Sequence, residues 1–138
     1  MILHTQLEKD CFVIGRFPLS LLLLINDANY PWFILVPQRE GITEIHQLSE
    51  DDQQQLMRES SMLAAAIEKE FNADKINIAA LGNMVPQLHI HHIVRYKTDS
   101  AWPAPVWGKL SAIPYLDEEV KILRSSLSQS LTKIGLKM

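Results

Sequence analysis

Two histidines with an alternating spacing are the side chains of this sequence best suited to chemistry at an anionic group. His89 and His91 lie in the run Gln87-Leu88-His89-Ile90-His91-His92-Ile93-Val94. In a β-strand, side chains alternate between faces, so Gln87, His89 and His91 share one face, with about 6.5 to 7 Å between the Cα atoms of the two histidines. Both imidazole rings can then reach one small anion, and the run predicts a phosphate-sized polar site.

The same pair of histidines has structural alternatives. Taken alone, two alternating histidines on a strand are equally compatible with a purely structural role. Zn²⁺ is another occupant, because imidazole is a common zinc ligand, but a tetrahedral site needs further ligands and the sequence has none nearby. His92 lies on the opposite face, which is otherwise apolar, and we expect it to be packed or held by a buried hydrogen bond.

The segments around the histidine run predict a sheet. The predicted strands are β-rich or apolar runs that end at glycine, proline or asparagine turns: residues 11–15, 19–26, 32–36, 75–80 and 87–95. The third of these is apolar on both faces, as is typical of a strand in the middle of a sheet.

Two helices are predicted to cover that sheet. Ser49 is a capping residue, and the helix after it has a mostly apolar stripe at spacings of three and four: Leu56, Ser60, Leu63, Ile67 and Phe71. Asp117 is predicted to cap a final helix that ends near Gly135, with the stripe Val120, Leu123, Leu127 and Leu131. These elements indicate an α+β fold with an antiparallel sheet covered by helices.

Length and charge exclude several classes of protein. The chain has 138 residues, of which 47% are apolar and 21% charged, as expected for one compact domain that needs no structural metal. Thirteen basic against sixteen acidic residues give a net charge of -3, which argues against nucleic acid as a partner.

The location of the protein is predicted from its cysteine content and its apolar runs. The single cysteine, Cys11, cannot form an internal disulfide, and Glu8 and Asp10 interrupt the apolar segment that a signal peptide would need. The longest apolar run, residues 21–25, is too short to cross a bilayer. We therefore expect a cytoplasmic protein without a membrane partner.

The histidine run also carries a family resemblance. Gly82-Asn83-Met84-Val85-Pro86-Gln87-Leu88-His89-Ile90-His91-His92-Ile93 resembles the signature of the histidine triad (HIT) superfamily, Gly-Gln-Ser/Thr-Val-x-His-φ-His-φ-His-φ-φ, where φ is apolar. The resemblance covers roughly residues 10–107. It implies a five-stranded antiparallel sheet with a long helix, a homodimer, and hydrolysis or transfer at the α-phosphate of a nucleotide, with a purine favoured. It implies no metal and no other cofactor.

The resemblance gives roles to the matching histidines. His89 corresponds to the middle histidine, which attacks the α-phosphorus and becomes transiently nucleotidylated. A neutral imidazole suits this role, provided that the other ring nitrogen is held by a backbone carbonyl. His91 corresponds to the third histidine, which would contact a phosphate oxygen or protonate the leaving group.

Nucleotide-binding residues are carried over in the same way. Asn77 and Asn83 correspond to residues that donate hydrogen bonds to phosphate oxygens. Asp27, which follows Asn26 before the third strand, resembles the acidic residue that binds the ribose hydroxyls. Trp102 and Trp107 lie in the proline-rich loop after the histidine strand, where they either plug the sheet or reach the site and stack on a base.

Several positions depart from the family pattern. Gln87 replaces the first histidine, Met84 replaces a hydroxyl residue, and Asn83 shortens a glutamine. Trp32 and Glu40 stand where two auxiliary histidines are common. Glutamine cannot transfer a proton near neutral pH. Any step that used the first histidine as acid or base is therefore slower, or another group transfers the proton.

The sequence therefore predicts one activity and leaves two alternatives open. We favour a metal-independent hydrolase or nucleotidyl transferase with His89, His91 and Gln87 at the catalytic positions. The main alternative is a non-catalytic nucleotide-binding protein with a degenerate triad, and the third is a metal-binding or structural dimer. In domain terms, we expect a HIT-like domain over residues 1–110 and a C-terminal helical extension over residues 111–138, packed on the same domain.

Overall fold

The computed structural model describes residues 1–138 and contains one five-stranded antiparallel sheet. The strands are β1 (Cys11–Arg16), β2 (Ser20–Ile25), β3 (Trp32–Pro37), β4 (Lys75–Ala79) and β5 (Ile90–Arg95), in the order β1-β2-β3-β5-β4. The helices are α1 (Thr5–Asp10), α2 (Glu50–Phe71) and α3 (Asp117–Lys133), with a short 3₁₀ turn at Ile45–Gln47. The predicted α+β fold, with one long helix and a C-terminal helix, is confirmed.

The two faces of the sheet carry separate apolar clusters. On one face the sheet packs against α2 and α3, and this core includes Leu22, Leu24, Phe33, Leu35, Leu63, Ile67, Val94 and Leu127. On the other face Trp32, Ile34 and Ile93 pack with Val106 of the loop after β5. Because side chains alternate along β5, His92 points toward the helices and His91 points to the opposite face.

The long helix follows the predicted pattern. The Ser49 hydroxyl accepts a hydrogen bond from the Asp52 amide at 3.1 Å, which caps the first turn of α2. The buried positions of its stripe face the sheet: Leu56, Ser60, Leu63 and Ile67. The helix ends at Asn72, whose left-handed backbone (φ 49°) stops it.

The histidine strand begins later than predicted. Strand pairing starts at Ile90, opposite Leu35, rather than at residue 87. Continuing the register would place Leu88 opposite Pro37, and proline has no N–H for the ladder. The Leu88 amide instead donates to the carbonyl of Ile42 at 3.0 Å. His89 therefore lies just outside the regular sheet, while His91 lies inside it.

Two helix starts also differ from the sequence reading. The short helix α1 was not predicted, and it is capped by His4, whose Nδ1 accepts from the Gln6 amide at 3.1 Å. Asp117 is the first residue of α3 rather than its cap. Glu119 carries out the capping, because its carboxylate accepts from the Leu116 amide at 2.8 Å.

The C-terminal residues pack into the helix-side core. Leu127 and Leu131 of α3 are buried with Leu136 in the same cluster as the sheet residues. Lys137 pairs with Arg16 at the edge of β1 through two backbone hydrogen bonds. Gly135, with φ at 102°, allows the chain to turn from α3 back to β1. None of the helices has both the length and the apolar character required to span a membrane.

Candidate functional site

His89 presents one ring nitrogen that is free for chemistry. Its Nδ1 lies 2.7 Å from the carbonyl oxygen of Gln87, and because a carbonyl only accepts, Nδ1 carries the proton. The lone pair of the neutral ring is therefore on Nε2, which makes no hydrogen bond within the chain and is still reached by solvent. His89 lines a cavity of about 340 Å³, together with Thr43, Glu44 and Asn83.

Gly82 brings the backbone directly against the His89 ring. A Cβ atom at this position would lie 2.9 Å from His89 Cε1 and 2.8 Å from the carbonyl oxygen of Val85. Both distances are shorter than carbon atoms tolerate, so only glycine permits this approach. The loop that begins at Gly82 thus fixes one side of the imidazole.

His91 is held at both ring nitrogens by protein groups. Its Nε2 lies 2.9 Å from the Leu81 carbonyl oxygen, and its Nδ1 lies 2.9 Å from the indole Nε1 of Trp32. The carbonyl only accepts and the indole N–H only donates, so the proton is on Nε2 and Nδ1 accepts. Neither nitrogen is left for a phosphate oxygen or a leaving group, in contrast to the role expected from the resemblance.

The surroundings of His91 also oppose its protonation. Burial lowers the pKa of His91 to about 4, an effect that the nearby His89 increases and the Leu81 carbonyl opposes. The ring packs edge to face against its aromatic neighbours, with centroid distances of 4.9 Å to His89, 5.2 Å to Trp107 and 5.7 Å to Trp32. His91 is thus a neutral ring that its contacts hold in a fixed position beside His89.

The Gln87 side chain bonds to the first residues of the chain and makes no hydrogen bond to His89. The amide oxygen accepts from the His4 amide at 2.8 Å, and the amide nitrogen donates to the Ile2 carbonyl at 3.1 Å. The side chain therefore fastens the first residues of the chain. The main-chain carbonyl of Gln87 is the group that contacts His89.

A second cavity lies beyond the tryptophans. It measures about 420 Å³, and Asp27, Trp32 and Trp107 are among the residues that line it. Asp27 Oδ1 accepts from the backbone and side-chain amides of Asn29 at 2.9 and 2.8 Å, whereas Oδ2 accepts no hydrogen bond from the chain. One carboxylate oxygen of Asp27 is thus free to accept hydrogen bonds from a ligand.

Of the other expected binding residues, Asn83 and Asn26 line these cavities and Asn77 lines neither. Asn83 is exposed and lines the His89 cavity. Asn77 lies on β4, and its Oδ1 accepts from Arg95 Nη1 at 2.8 Å, which leaves its amide nitrogen without a partner in the chain. Asn26 has a structural contact, because its Oδ1 accepts from the Tyr115 amide at 2.8 Å.

His92 is part of the core, as its position opposite His91 predicts. It is fully buried, its Nε2 lies 2.7 Å from the Ser60 hydroxyl, and its Nδ1 lies 3.1 Å from the Ile90 carbonyl oxygen. Nδ1 must therefore carry the proton, and Nε2 accepts from the hydroxyl. Burial lowers the pKa of His92 to about 4.

Metal binding and thiol chemistry at Cys11 are the two other kinds of chemistry that the sequence raised. No three His, Cys, Asp or Glu side chains converge on a point where a metal ion would be held. Burial raises the pKa of the Cys11 thiol to about 12, so its reactive thiolate is scarce at neutral pH.

Three neighbours of the histidines were not assigned a role from the sequence. Trp32 was recognised only as a replacement for an auxiliary histidine, whereas in the structure it donates a hydrogen bond to His91. The loop before α2 supplies Thr43 and Glu44 to the His89 cavity. No local sequence pattern could identify these contacts, since the residues lie more than 40 positions from the histidines.

Comparisons with known proteins identify the family of this chain. The model of the HIT domain matches residues 6–98. A histidine triad protein from Marinobacter aquaeolei VT8 is 47% identical, with a TM-score of 0.95 over 97% of this chain and 98% of that chain. A second, from Bradyrhizobium japonicum, is 47% identical, with a TM-score of 0.91 over 94% of this chain and 96% of that chain.

A third solved relative has the same overall structure. The histidine triad protein from Sinorhizobium meliloti 1021 is 43% identical, with a TM-score of 0.91 over 94% of this chain and 96% of that chain. A search of curated proteins found no match. Since the HIT model covers about two-thirds of the chain and includes the complete histidine strand, the chain belongs to the histidine triad (HIT) superfamily.

Proposed function

We propose that this protein is a nucleotide hydrolase or nucleotidyl transferase that acts at an α-phosphate through a covalent intermediate on His89. Membership of the HIT superfamily supports a nucleotide-binding or hydrolase function. The observation that carries the finer proposal is the His89 ring, whose Nδ1–H is fixed on the Gln87 carbonyl at 2.7 Å while Nε2 is unpaired beside a cavity. This arrangement suits an imidazole nucleophile.

The reaction needs no change in the position of His89. The Nε2 lone pair forms a bond to the α-phosphorus as the bond from phosphorus to the leaving group breaks, and the imidazole becomes cationic. The Gln87 carbonyl then accepts a stronger hydrogen bond from the more acidic Nδ1–H. In the second step the oxygen of water, or of another acceptor, bonds to phosphorus as the bond from phosphorus to Nε2 breaks. The lone pair returns to His89, and the proton of the attacking group passes to solvent.

We assign the nucleoside to the cavity lined by Asp27 and the tryptophans. The free carboxylate oxygen of Asp27 suits ribose hydroxyls, and the partly exposed Trp107 offers stacking surface to a base. A purine gives the larger stacking area and is the nucleotide that we favour. Asn77 and Asn83 would donate their amide N–H groups to phosphate oxygens.

The alternative function is nucleotide binding without turnover. Two observations favour it: the Gln87 side chain holds the first residues of the chain, and both nitrogens of His91 are occupied. A site with one free imidazole retains a phosphate pocket but has fewer groups that exchange protons. The covalent step on His89 distinguishes the two functions.

The test is intact-protein mass spectrometry after a brief acid quench. The protein is mixed with adenylyl and guanylyl phosphoramidates and with dinucleoside polyphosphates. We expect a transient adduct of one nucleotide in the wild type and none in His89→Ala. His46→Ala is the matched control, because His46 is exposed in the 3₁₀ turn and should leave the adduct intact.

Two results would overturn hydrolysis. One is an adduct that persists in His89→Ala, which would place the nucleophile elsewhere. The other is binding of the nucleotides by the wild type without adduct or released nucleotide across the panel, which would favour the binding-only function. Nucleotide affinity should change only a few-fold in His89→Ala, because the nucleophile acts mainly in the transition state.

We also propose that the protein is a homodimer that pairs through β4. This strand lies at the edge of the sheet, and exposed apolar side chains accompany it: Ile78 (51% exposed), Leu81 (42%) and Met84 (92%). Such an edge favours pairing with a second copy. Light scattering should give a dimer for the wild type and a monomer for Ile78→Lys, whereas Ile122→Lys on α3 should remain dimeric. A monomeric wild type contradicts the proposal.

A further inference from the structure

Trp32, His91 and Leu81 form a continuous hydrogen-bonded chain behind the reactive histidine. The indole N–H of Trp32 donates to His91 Nδ1 at 2.9 Å, and His91 Nε2–H donates to the Leu81 carbonyl at 2.9 Å. Trp32 is 8% exposed and His91 is 5% exposed, so water does not compete with these bonds. The Trp107 ring also packs edge to face against His91, with 5.2 Å between the ring centroids.

This chain opposes the imidazolium form of His91. A second proton would have to sit on Nδ1, where it would point at the indole N–H of Trp32, and two donors would face each other in a buried site. His89, whose ring packs at 4.9 Å, is the titratable side chain in contact with His91, and any positive charge on it adds to this opposition. The single proton of the neutral His91 ring stays on Nε2, where it is bonded to the Leu81 carbonyl, and none is available for a leaving group.

The His89 cavity supplies no replacement cation. Its lining includes no lysine, arginine or second histidine. Glu44 is the titratable side chain other than His89 in that lining, and a carboxyl group carries no positive charge. The Gln87 side chain, at the position of the first triad histidine, is engaged with the first residues of the chain.

We propose that Trp32 is a specificity-determining residue, which by fixing the tautomer of His91 restricts the site to nucleotides whose leaving group departs as a stable anion. This inference rests on the proposed function and narrows its substrate class to anhydrides, in which the leaving group is a phosphate or a carboxylate. The bond from His89 Nε2 to phosphorus forms, and the bond from phosphorus to the bridging oxygen breaks. The electron pair leaves on that oxygen without a proton from the protein, and water protonates it later as required.

The first arm of the test follows the His91 ring in the free protein. In ¹⁵N NMR spectra, His91 should keep its proton on Nε2 from neutral pH down to about pH 5 in the wild type. In Trp32→Phe the ring should titrate at a higher pH, because Nδ1 has lost its donor. Trp107→Phe is the matched control, since it removes an indole that contacts His91 without bonding to it.

The second arm compares 4-nitrophenyl and phenyl esters of adenosine 5′-phosphate, which share a nucleotide and differ in leaving group. A general acid commonly contributes about 10²- to 10⁴-fold, and without one the wild type should favour the nitrophenyl ester in kcat/KM by at least about 100-fold. At about pH 5.5, Trp32→Phe should narrow that ratio by about tenfold, because the freed His91 can then carry a proton. In Trp107→Phe the ratio of kcat/KM for the nitrophenyl ester to kcat/KM for the phenyl ester should equal that of the wild type, even if both values change.

The outcomes separate this inference from the proposed function. Similar kcat/KM values for both esters, or a loss in Glu44→Gln that is confined to the phenyl ester, would show that an acid acts and would overturn the inference. A His91 ring that titrates alike in the wild type and Trp32→Phe would also overturn it. Failure of the wild type to hydrolyse dinucleoside polyphosphates as well as both esters would refute hydrolysis itself, and with it the selectivity, even if the NMR spectra showed the Trp32 contact.

Discussion

His89 and His91 are chemically different residues although they are neighbours on one face of the chain. The difference arises from the partners of their ring nitrogens. His89 has one partner, the Gln87 carbonyl, and keeps a free lone pair, whereas His91 has two partners and keeps none. Because an imidazole acts through a free nitrogen, the protein places a histidine with a free nitrogen beside one whose nitrogens are both bonded, at a ring-centroid distance of 4.9 Å.

A single methyl group should disable His89. In Gly82→Ala the new Cβ would lie 2.9 Å from His89 Cε1 and would push the ring off its bond to Gln87. Displacement of a reacting group by about 1 Å can cost about 100-fold, and we expect a loss of this size in kcat/KM. The measurement is anhydride hydrolysis, with the melting temperature recorded in parallel. Full activity in Gly82→Ala would show that the close approach is unimportant.

The two buried, neutral histidines should make stability depend on pH. The folded pKa values of His91 and His92 are lowered to about 4 from 6.5, so between these values the unfolded chain binds protons that the folded chain does not. Stability should therefore fall as the pH drops from about 6.5 toward about 4. At pH 5 the expected loss in the free energy of unfolding is about 2 kcal/mol for each histidine.

Urea unfolding at pH 7 and pH 5 measures this dependence. His92→Gln should show a smaller loss than the wild type, because one of the two histidines no longer titrates on unfolding. His46→Gln, which replaces an exposed histidine, should behave as the wild type does. Equal stability of the wild type at both pH values would contradict the buried neutral state of these rings.

At the scale of elements, the end of β5 and the loop after it form one unit. Arg95 is almost fully buried, and it bonds Asp99 through Nε at 2.9 Å and Nη2 at 3.0 Å. Its Nη2 also donates to the Ala104 carbonyl at 2.9 Å. The same guanidinium lies 5.5 Å from the ring centroid of Trp102. This cluster holds the loop after β5 in place. The same loop carries Trp107, which lines the second cavity.

Breaking the Arg95–Asp99 pair should loosen that loop. Asp99→Asn leaves the Arg95 charge buried without its partner, and removal of one member of a buried ion pair costs about 3 to 5 kcal/mol. Chemical denaturation measures the loss, and hydrogen exchange of residues 96–107 locates it. Asp51→Asn, at an exposed position in the first turn of α2, is the control and should cost less than about 1 kcal/mol. A similar small effect in Asp99→Asn would contradict the role of the pair.

At the scale of the whole molecule, we propose that residues 111–138 are integral to the domain rather than a dispensable extension. Leu127 is 1% exposed and packs in the helix-side core, so Leu127→Ala should lower the free energy of unfolding by about 2 to 5 kcal/mol. Leu116→Ala, at a position that is 69% exposed, should change it little. Equal effects of the two substitutions in urea unfolding would show that α3 contributes little to the core.

The same segment also reaches the candidate nucleoside cavity. The Ile113 amide lies 3.3 Å from Asp27 Oδ1, and the Tyr115 amide donates to Asn26 Oδ1 at 2.8 Å. Ala112 and Leu110 are among the residues that line the cavity. The C-terminal residues thus connect the core behind the sheet to the site in front of it.

The sequence by itself determined most of the elements and the strand that carries the histidines. Local periodicity, caps and turn residues predicted five strands and two helices, because these signals act over a few neighbouring positions. The alternation on β5 placed His92 in the core, and the motif with glycine and histidines identified the family. The exact start of β5 was not predictable in this way, since it depends on where Pro37 falls in the neighbouring strand.

Only the tertiary structure decided what each histidine can do. The tautomers of His89 and His91 depend on partners that the chain brings together from distant positions: the indole of Trp32 is 59 residues away from His91. The direction of the Gln87 side chain depends in the same way on the first residues of the chain, which lie more than 80 positions earlier. A hydrogen bond forms only between groups at the correct distance and angle, and residue types alone do not specify that geometry.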